Sequence, residues 1–186
     1  MAHHGRETEI KLAVNGTAEA RALLRRAGFR NFRRRVFERN IVLDTPGQTL
    51  RASGSLLRVR EAGGKAWLTY KGPSDAGKHK SREELETAVP SASLIATLFQ
   101  RLGFHPLFRY EKYRAEYRQA SGGGIATLDE TPIGVYLELE GSPAWIDRAA
   151  RKLGFSEREY ITASYARLYL DWCARRGSKP GDMVFR

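Results

Sequence analysis

The chain has 186 residues, of which 41% are hydrophobic, so it can bury one sizeable core and needs no second domain. Its apolar runs are too short to span a membrane, its first residues lack the apolar stretch of a signal peptide, and the single Cys173 excludes an internal disulfide. The formal net charge of +11 at pH 7 favours anionic partners. We expect a cytoplasmic protein without membrane contact, with one domain over residues 1–176 and a loose C-terminal tail over residues 177–186.

The chain begins with an alternating charged run, Glu7-Thr8-Glu9-Ile10-Lys11. In a β-strand, successive side chains point to opposite faces, so Glu7, Glu9 and Lys11 share one face. Taken alone the run is a weak signal, because such alternation is common on exposed edge strands. Two carboxylates and an ammonium group on one face are nevertheless typical of a cavity that binds a divalent cation together with a polyanion.

The same alternation returns in six later segments, with charged residues on one face and aliphatic residues on the other; in four of the six the charges recur at i and i+2. In chain order, the charged faces carry Arg58 and Arg60; Lys71; Lys78, Lys80, Arg82, Glu84 and Glu86; Lys112, Arg114, Glu116 and Arg118; Asp129; and Glu138 and Glu140. For any one strand, charges that face water are the simpler explanation. Across all of them that explanation weakens, because a solvent face rarely needs paired charges at successive positions. The set also has the near balance of cations and carboxylates that a buried charged interior requires.

Four helices are predicted between the strands from apolar residues at helical spacing and from capping residues. Their predicted ranges are residues 17–27, 93–102, 143–154 and 162–175. In the last helix, Tyr165, Tyr169 and Trp172 form an aromatic stripe that we interpret as core packing. Residues 73–79 form a loop that could act as a mobile lid.

The chain contains a basic cluster, Arg33-Arg34-Arg35, which makes nucleic-acid binding an alternative function. Strand alternation would split this triplet across both faces of a strand, and no nucleic-acid motif accompanies it. The sequence therefore favours a solvated basic exterior that attracts anionic substrates. It also argues against zinc, because the scattered histidines, which we interpret as surface residues, form no cluster with cysteine; they are His3, His4, His79 and His105.

Several ordered motifs resemble those of the CYTH superfamily, the triphosphate tunnel metalloenzymes, named for class IV adenylate cyclases and thiamine triphosphatases. The resemblance covers nearly the whole chain. Besides the Glu-x-Glu-x-Lys run, it rests on Leu43-Asp44-Thr45-Pro46, residues 50–60, residues 68–73, Arg82-Glu83-Glu84-Leu85-Glu86, Lys112-Tyr113-Arg114, Leu128-Asp129-Glu130 and residues 136–141. Val42-Leu43 stands where the family usually has Tyr-Phe, which we interpret as an exchange within the core.

The resemblance implies an α+β fold, a closed antiparallel eight-stranded β-barrel or tunnel with flanking α-helices, whose charged faces point inward. Arginine and lysine side chains would bind a triphosphate there, and carboxylates would bind Mg²⁺ or Mn²⁺. The predicted triphosphate-binding residues are Lys11, Arg58, Arg60, Lys71, Lys80, Arg82, Lys112 and Arg114. The predicted metal ligands are Glu7, Glu9, Asp129, Glu138 and Glu140, with Glu84 and Glu86 as further tunnel residues. Of these, we predict that Lys11, Lys71, Glu9 and Asp129 act in the chemistry itself.

The predicted function is metal-dependent hydrolysis of inorganic triphosphate, a nucleoside triphosphate or thiamine triphosphate, by a monomer or homodimer. A class IV adenylate cyclase, which converts ATP to cyclic AMP and pyrophosphate, is the alternative, because both reactions use the same cations and carboxylates. A third hypothesis is a non-catalytic polyphosphate-binding module. The full set of carboxylates argues against it, since they would only repel an anionic ligand if they bound no metal.

Overall fold

The computed structural model describes residues 3–186; Met1 and Ala2, which belong to the stretch inspected for a signal peptide, lie outside the described residues. The strands are β1 (His3–Val14), β2 (Phe29–Asp44), β3 (Leu56–Ala62), β4 (Lys65–Lys71), β5 (Lys80–Val89), β6 (His105–Gln119), β7 (Gly124–Thr131) and β8 (Gly134–Gly141). The helices are α1 (Thr17–Arg26), α2 (Thr49–Ala52), α3 (Ala92–Arg101), α4 (Pro143–Leu153) and α5 (Tyr165–Arg176), with a 3₁₀ turn at Glu157–Glu159. Within residues 3–186, no helix is both long and apolar enough to cross a membrane.

The eight strands close into a barrel in the order β1-β5-β4-β3-β2-β6-β7-β8, and each neighbouring pair is antiparallel. Tight turns make this possible. Between β3 and β4, for example, Gly63 and Gly64 have φ angles of 55° and 74°, which glycine adopts without steric cost. Closure puts alternate residues of every strand inside the barrel. The predicted closed antiparallel barrel with flanking helices is confirmed.

The main hydrophobic core lies outside the barrel, under helices α1 and α4. Leu12 of β1 and Leu137 of β8 share this core with Leu24 of α1 and Ile146 of α4, and all four are fully buried. Burial of each such side chain stabilises the fold by about 1.5–3 kcal/mol. Because these aliphatic residues alternate with charged ones along the strands, packing them outward under the helices turns the charged residues inward.

Helix α2 was not predicted, and Asp44 explains why it forms. The carboxylate of Asp44, buried at the end of β2, accepts hydrogen bonds from the backbone N–H groups of Thr45 (2.7 Å), Leu50 (3.0 Å) and Arg51 (2.9 Å). These bonds fold residues 45–51 back over one end of the barrel. Asp44, part of the Leu-Asp-Thr-Pro motif, therefore anchors a loop.

Two points of the C-terminal segment, Ile161 and Met183, pair with strands of the barrel. Ile161 exchanges two backbone hydrogen bonds of 2.9 Å with Lys11 of β1. Further on, the backbone N–H of Met183 donates to the carbonyl of Arg109, and the carbonyl of Met183 accepts from the N–H of Glu111, both at 2.9 Å. The Met183 side chain is only 1% exposed. The prediction of a loose tail is therefore wrong around Met183, because β6 offers backbone groups there that pair with it.

Replacing Met183 with alanine is expected to lower the free energy of unfolding by about 2–3 kcal/mol, because it removes a buried side chain from a packed site. The neighbouring Val184 is 38% exposed, so Val184→Ala should change the free energy by less than about 0.5 kcal/mol. Urea unfolding of both variants measures this difference. If Met183→Ala, like Val184→Ala, changed the free energy of unfolding by less than about 0.5 kcal/mol, the segment would be loosely attached.

Candidate active site in the barrel lumen

The barrel encloses a cavity of about 1090 Å³ that runs along its axis. The lining of one end, which we call the α5 end, includes Asp44, Ser74 and Tyr165. The lining of the other end, the Arg33 end, includes Arg33 and Arg118. Because Ser74 and Arg118 are exposed at opposite ends, the cavity is a tunnel open to solvent. All the predicted tunnel residues line it except Asp129, whose carboxylate is covered on the inner face of the barrel by Lys112, Arg114 and Tyr165. The lining residues of the predicted set are Glu7, Glu9, Lys11, Arg58, Arg60, Lys71, Lys80, Arg82, Glu84, Glu86, Lys112, Arg114, Glu138 and Glu140.

On the wall made by β1, β4 and β5, lysines and glutamates pair across neighbouring strands. Lys71 lies between Glu7 and Glu84, with its Nζ 3.1 Å from a carboxylate oxygen of Glu84. Glu9 is paired with Lys80 at 3.1 Å and with Lys11 at 3.2 Å. Each of these residues is nine-tenths buried or more. The charges are therefore screened little by water and interact strongly.

Burial and charge act in opposite directions on the pKa values of this wall. Burial opposes ionisation of Glu9, but the ammonium groups of Lys11 and Lys80 hold its pKa well below the usual value. Lys80 is different: burial lowers its pKa to about 8, and Glu9 offsets only part of that effect. Lys80 thus releases its proton closer to neutral pH than an ordinary lysine does.

Asp129 on β7 joins two cations on β6. It is fully buried, and its oxygens accept hydrogen bonds from Lys112 Nζ (2.9 Å), Arg114 Nε (2.7 Å) and the hydroxyl of Tyr165 (2.8 Å). Arg114 also contacts Glu138. Burial disfavours the charge on Asp129, yet Arg114 and Lys112 keep its pKa below the usual value, so the carboxylate stays ionised and holds both cations in place.

The arginines of β3 face the same lumen with spare donors. Arg58 donates to the hydroxyl groups of Tyr110 (3.2 Å) and Thr69 (3.3 Å), and the carboxylate of Glu86 is 3.7 Å away. Arg60 is paired more closely with Glu86, at 2.9 Å. The charge of Arg58 is therefore only weakly neutralised by the protein.

Glu140 is the one carboxylate in the predicted set that has no ion pair with the described residues. It lies beside Glu9 across the β1–β8 register. Burial raises its pKa to about 7, and the negative charges of Glu7 and Glu84 act in the same direction. Glu140 is also in contact with solvent, which limits the contribution of burial. A cation that bound beside Glu140 would offset the repulsion from these neighbouring carboxylates.

The family model of the CYTH domain matches residues 5–165 of this chain. The chain belongs to the CYTH family. A candidate adenylate cyclase from Methanocaldococcus jannaschii is 29% identical over 137 residues, which cover 73% of this chain and 77% of that protein. Among solved structures, the PH1819 protein of Pyrococcus horikoshii OT3 superposes with a TM-score of 0.73 at 27% identity, over 89% of this chain and 98% of that one.

A third similar protein shows the same fold at lower identity. It is a candidate adenylyl cyclase from Hippeastrum, described as having a dominant triphosphatase activity. It superposes with a TM-score of 0.63 at 20% identity, over 94% of this chain and 97% of that one. The CYTH tunnel is therefore the architecture that this chain shares with these proteins.

Two residues of the CYTH tunnel wall were missed from the sequence, Glu38 and Asn40 of β2. Glu38 is 4% exposed, and its carboxylate approaches Arg60 (3.4 Å) and Lys112 (3.7 Å). Burial opposes its charge, but Lys112 and other cations lower its pKa to about 2. Asn40 is 1% exposed, and neither of its side-chain polar atoms has a hydrogen-bond partner among the described residues. The alternation Glu38-x-Asn40 is present in the sequence, but two polar residues on either side of Arg39 are too weak a signal to mark the inner face of a strand.

Two predictions at the start of β5 are wrong. Lys78 does not face the lumen, because the strand starts at Lys80 and Lys78 pairs outside the barrel with Asp147 (2.9 Å) and Glu157 (2.6 Å). His79 is not a free surface residue, since its side chain is 9% exposed and its Nε2 lies 2.8 Å from Asp147. The end of the 73–79 loop is thus attached to α4 and the 3₁₀ turn.

Proposed function

We propose that this CYTH protein hydrolyses a triphosphate inside the barrel with the help of Mg²⁺ or Mn²⁺. The observation that carries the proposal is a set of buried donors without acceptors. The Nε atoms of Arg58, Arg60 and Arg82 are buried and have no hydrogen-bond partner among residues 3–186. Leaving such a donor unpaired costs about 1–3 kcal/mol. The oxygens of a triphosphate, which accept bonds from guanidinium groups, would satisfy these donors.

The charge balance of the lumen supports a metal. With Glu38 included, eight carboxylates face the eight predicted cations; they are Glu7, Glu9, Glu38, Glu84, Glu86, Asp129, Glu138 and Glu140. A triphosphate adds about four negative charges, which this balanced lumen would not compensate. Roughly two divalent cations that enter with the substrate would restore the balance.

The carboxylates of the lumen have the chemistry that Mg²⁺ and Mn²⁺ prefer, because they are hard oxygen donors. No three acidic, histidine or cysteine side chains converge on one point within residues 3–186, and most lumen carboxylates contact lysines or arginines, so binding an ion requires carboxylates to leave these cations and draw together. We propose that Glu140 and Glu7, together with Glu9 and Glu138, hold the ion. Bound there, it would neutralise charge on the phosphate oxygens.

Asp129 receives a different role from the metal ligands. The sequence suggested it as one of them, but three side chains already donate to its oxygens. We propose that it orients Lys112 and Arg114 toward the phosphates. With Lys11, Lys71 and Lys80 on the wall of β1, β4 and β5, cations on more than one strand would hold the substrate, which fixes the attacked phosphorus in place.

The alternative function is that of an adenylate cyclase, and one observation favours it: the Methanocaldococcus jannaschii relative is a candidate adenylate cyclase. The Hippeastrum protein is also a candidate cyclase, yet it is described as mainly a triphosphatase. A cyclase name on this fold therefore does not define the reaction, and we retain hydrolysis as the proposed function.

A substrate panel separates these functions. The protein is incubated with inorganic triphosphate, ATP or thiamine triphosphate, each with Mg²⁺ or Mn²⁺, and the products are resolved by chromatography. We expect phosphate as the product. Pyrophosphate with cyclic AMP would establish cyclisation instead, and tight binding of tripolyphosphate without any product would establish a non-catalytic module.

A further inference from the structure

Tyr165 is the first residue of α5, a helix that follows the last barrel strand, yet its side chain reaches the lumen. It is 7% exposed and lines the cavity. Its hydroxyl donates a hydrogen bond of 2.8 Å to Oδ2 of Asp129. Its ring centroid lies 5.3 Å from the Nζ atoms of both Lys11 and Lys112. One residue of an outer helix therefore contacts three charged groups of the lumen.

The hydrogen bond from Tyr165 falls on an oxygen that also orders two cations. Oδ2 of Asp129 accepts from Lys112 Nζ at 2.9 Å and from Arg114 Nη2 at 2.5 Å. The position of this oxygen therefore fixes where both cations point. A third donor, approaching from α5, limits rotation of the carboxylate about its terminal torsion, which is otherwise soft.

We propose that Tyr165 is a positioning residue for phosphate binding, which acts through Asp129 on Lys112 and Arg114. The inference rests on the proposed triphosphate function. When α5 packs against the barrel, Tyr165 orients Asp129 and thereby the two cations of β6, Lys112 and Arg114. Burial, followed by the charge of Asp129, raises the pKa of Tyr165 well above its usual value, so the hydroxyl keeps the proton that it donates.

A purely structural aromatic residue would lack these contacts, and the chain offers such a residue for comparison. Tyr136 packs edge-on against Tyr165 with ring centroids 5.6 Å apart. It is half-buried, and its hydroxyl makes no hydrogen bond to a described carboxylate. Tyr165→Phe and Tyr136→Phe each remove one oxygen and keep the ring, so they form a matched pair.

The test measures the Kd of tripolyphosphate by calorimetry in EDTA, and KM and kcat with Mg²⁺. For Tyr165→Phe we expect Kd and KM to rise about five- to tenfold, as for the loss of one supporting hydrogen bond, with kcat within about twofold of wild type. For Tyr136→Phe all three should stay within about twofold. Melting temperatures confirm that both variants fold.

A double-mutant cycle shows whether Tyr165 acts through Asp129. In an Asp129→Asn background, Tyr165→Phe should change Kd by less than about twofold, because the acceptor it orients has lost its charge. An undiminished effect in that background, a fall in kcat at constant Kd, or no effect in the wild-type background would each overturn the inference. If the wild type binds tripolyphosphate but turns over no triphosphate, the proposed function fails, while the Kd comparison still decides the role of Tyr165.

Discussion

Arg58→Ala is expected to lower kcat/KM for the triphosphate substrate by about ten- to a hundredfold, because charge-assisted hydrogen bonds to a phosphate contribute roughly 1.5–3 kcal/mol. Arg58 is the most informative lumen cation to remove. Its hydrogen bonds go to the neutral hydroxyl groups of Tyr110 and Thr69, so its loss leaves little uncompensated charge. Arg60→Ala and Lys112→Ala should act in the same direction. They should also lower stability, since they leave the buried carboxylate of Glu38 with one cation fewer.

The matched control for Arg58→Ala is Arg34→Ala, which removes the same charge from an exposed position on β2. It should change kcat/KM by less than about twofold at physiological salt, because exposed charges act through a screened field. Steady-state kinetics at two salt concentrations compares the variants. A similar loss in both, with substrate binding that falls steeply as salt rises, would instead favour a nucleic-acid surface.

Glu140→Gln is expected to raise the Mg²⁺ concentration needed for half-maximal activity by at least about tenfold. Even the loss of a residue that only hydrogen-bonds to a metal ligand lowers metal affinity by about that factor. Stability should not fall, because Glu140 pairs with no described cation and its neighbours Glu7 and Glu84 repel it. Initial rates as a function of Mg²⁺ or Mn²⁺ concentration, with urea unfolding in parallel, measure both effects. EDTA should abolish wild-type turnover.

Glu83→Gln serves as the control for Glu140→Gln. Glu83 is exposed and lies on β5 next to Glu84, so alternation turns it to the outside of the barrel. Its neutralisation removes the same charge and should leave the Mg²⁺ dependence unchanged. Full activity of the wild type in EDTA, or an equal shift in both variants, would refute the role of Glu140 in metal binding.

The sequence predicted the wall of the tunnel well, because the relation between neighbouring side chains in a strand is local. Glu7, Glu9 and Lys11 share a face whatever the strand is paired with, and an aliphatic residue such as Leu12 on the other face shows which side is packed. The family resemblance added closure of the strands into a barrel.

Local alternation failed where the backbone departs from a regular strand. β2 changes register between Asn31 and Arg33 and again between Arg33 and Val36. As a result Arg33 lines one end of the tunnel, while Arg35 lies over the ring of Tyr113 and pairs with Glu130. Simple alternation would have placed these two arginines on one face, and β-bulges of this kind are not visible in the sequence.

The sequence by itself thus determined which residues share a face and which chemistry they carry, because both depend on neighbours along one strand. Only the tertiary structure decided which cation meets which carboxylate, since Lys112 reaches Asp129 and Glu38 through strand order and register. It also decided that Tyr165 enters the lumen. Helical spacing marks that residue as buried, but a hydrophobic core and a charged tunnel bury an aromatic ring equally well. The difference lies in the docking of α5, which depends on contacts between residues far apart in the chain.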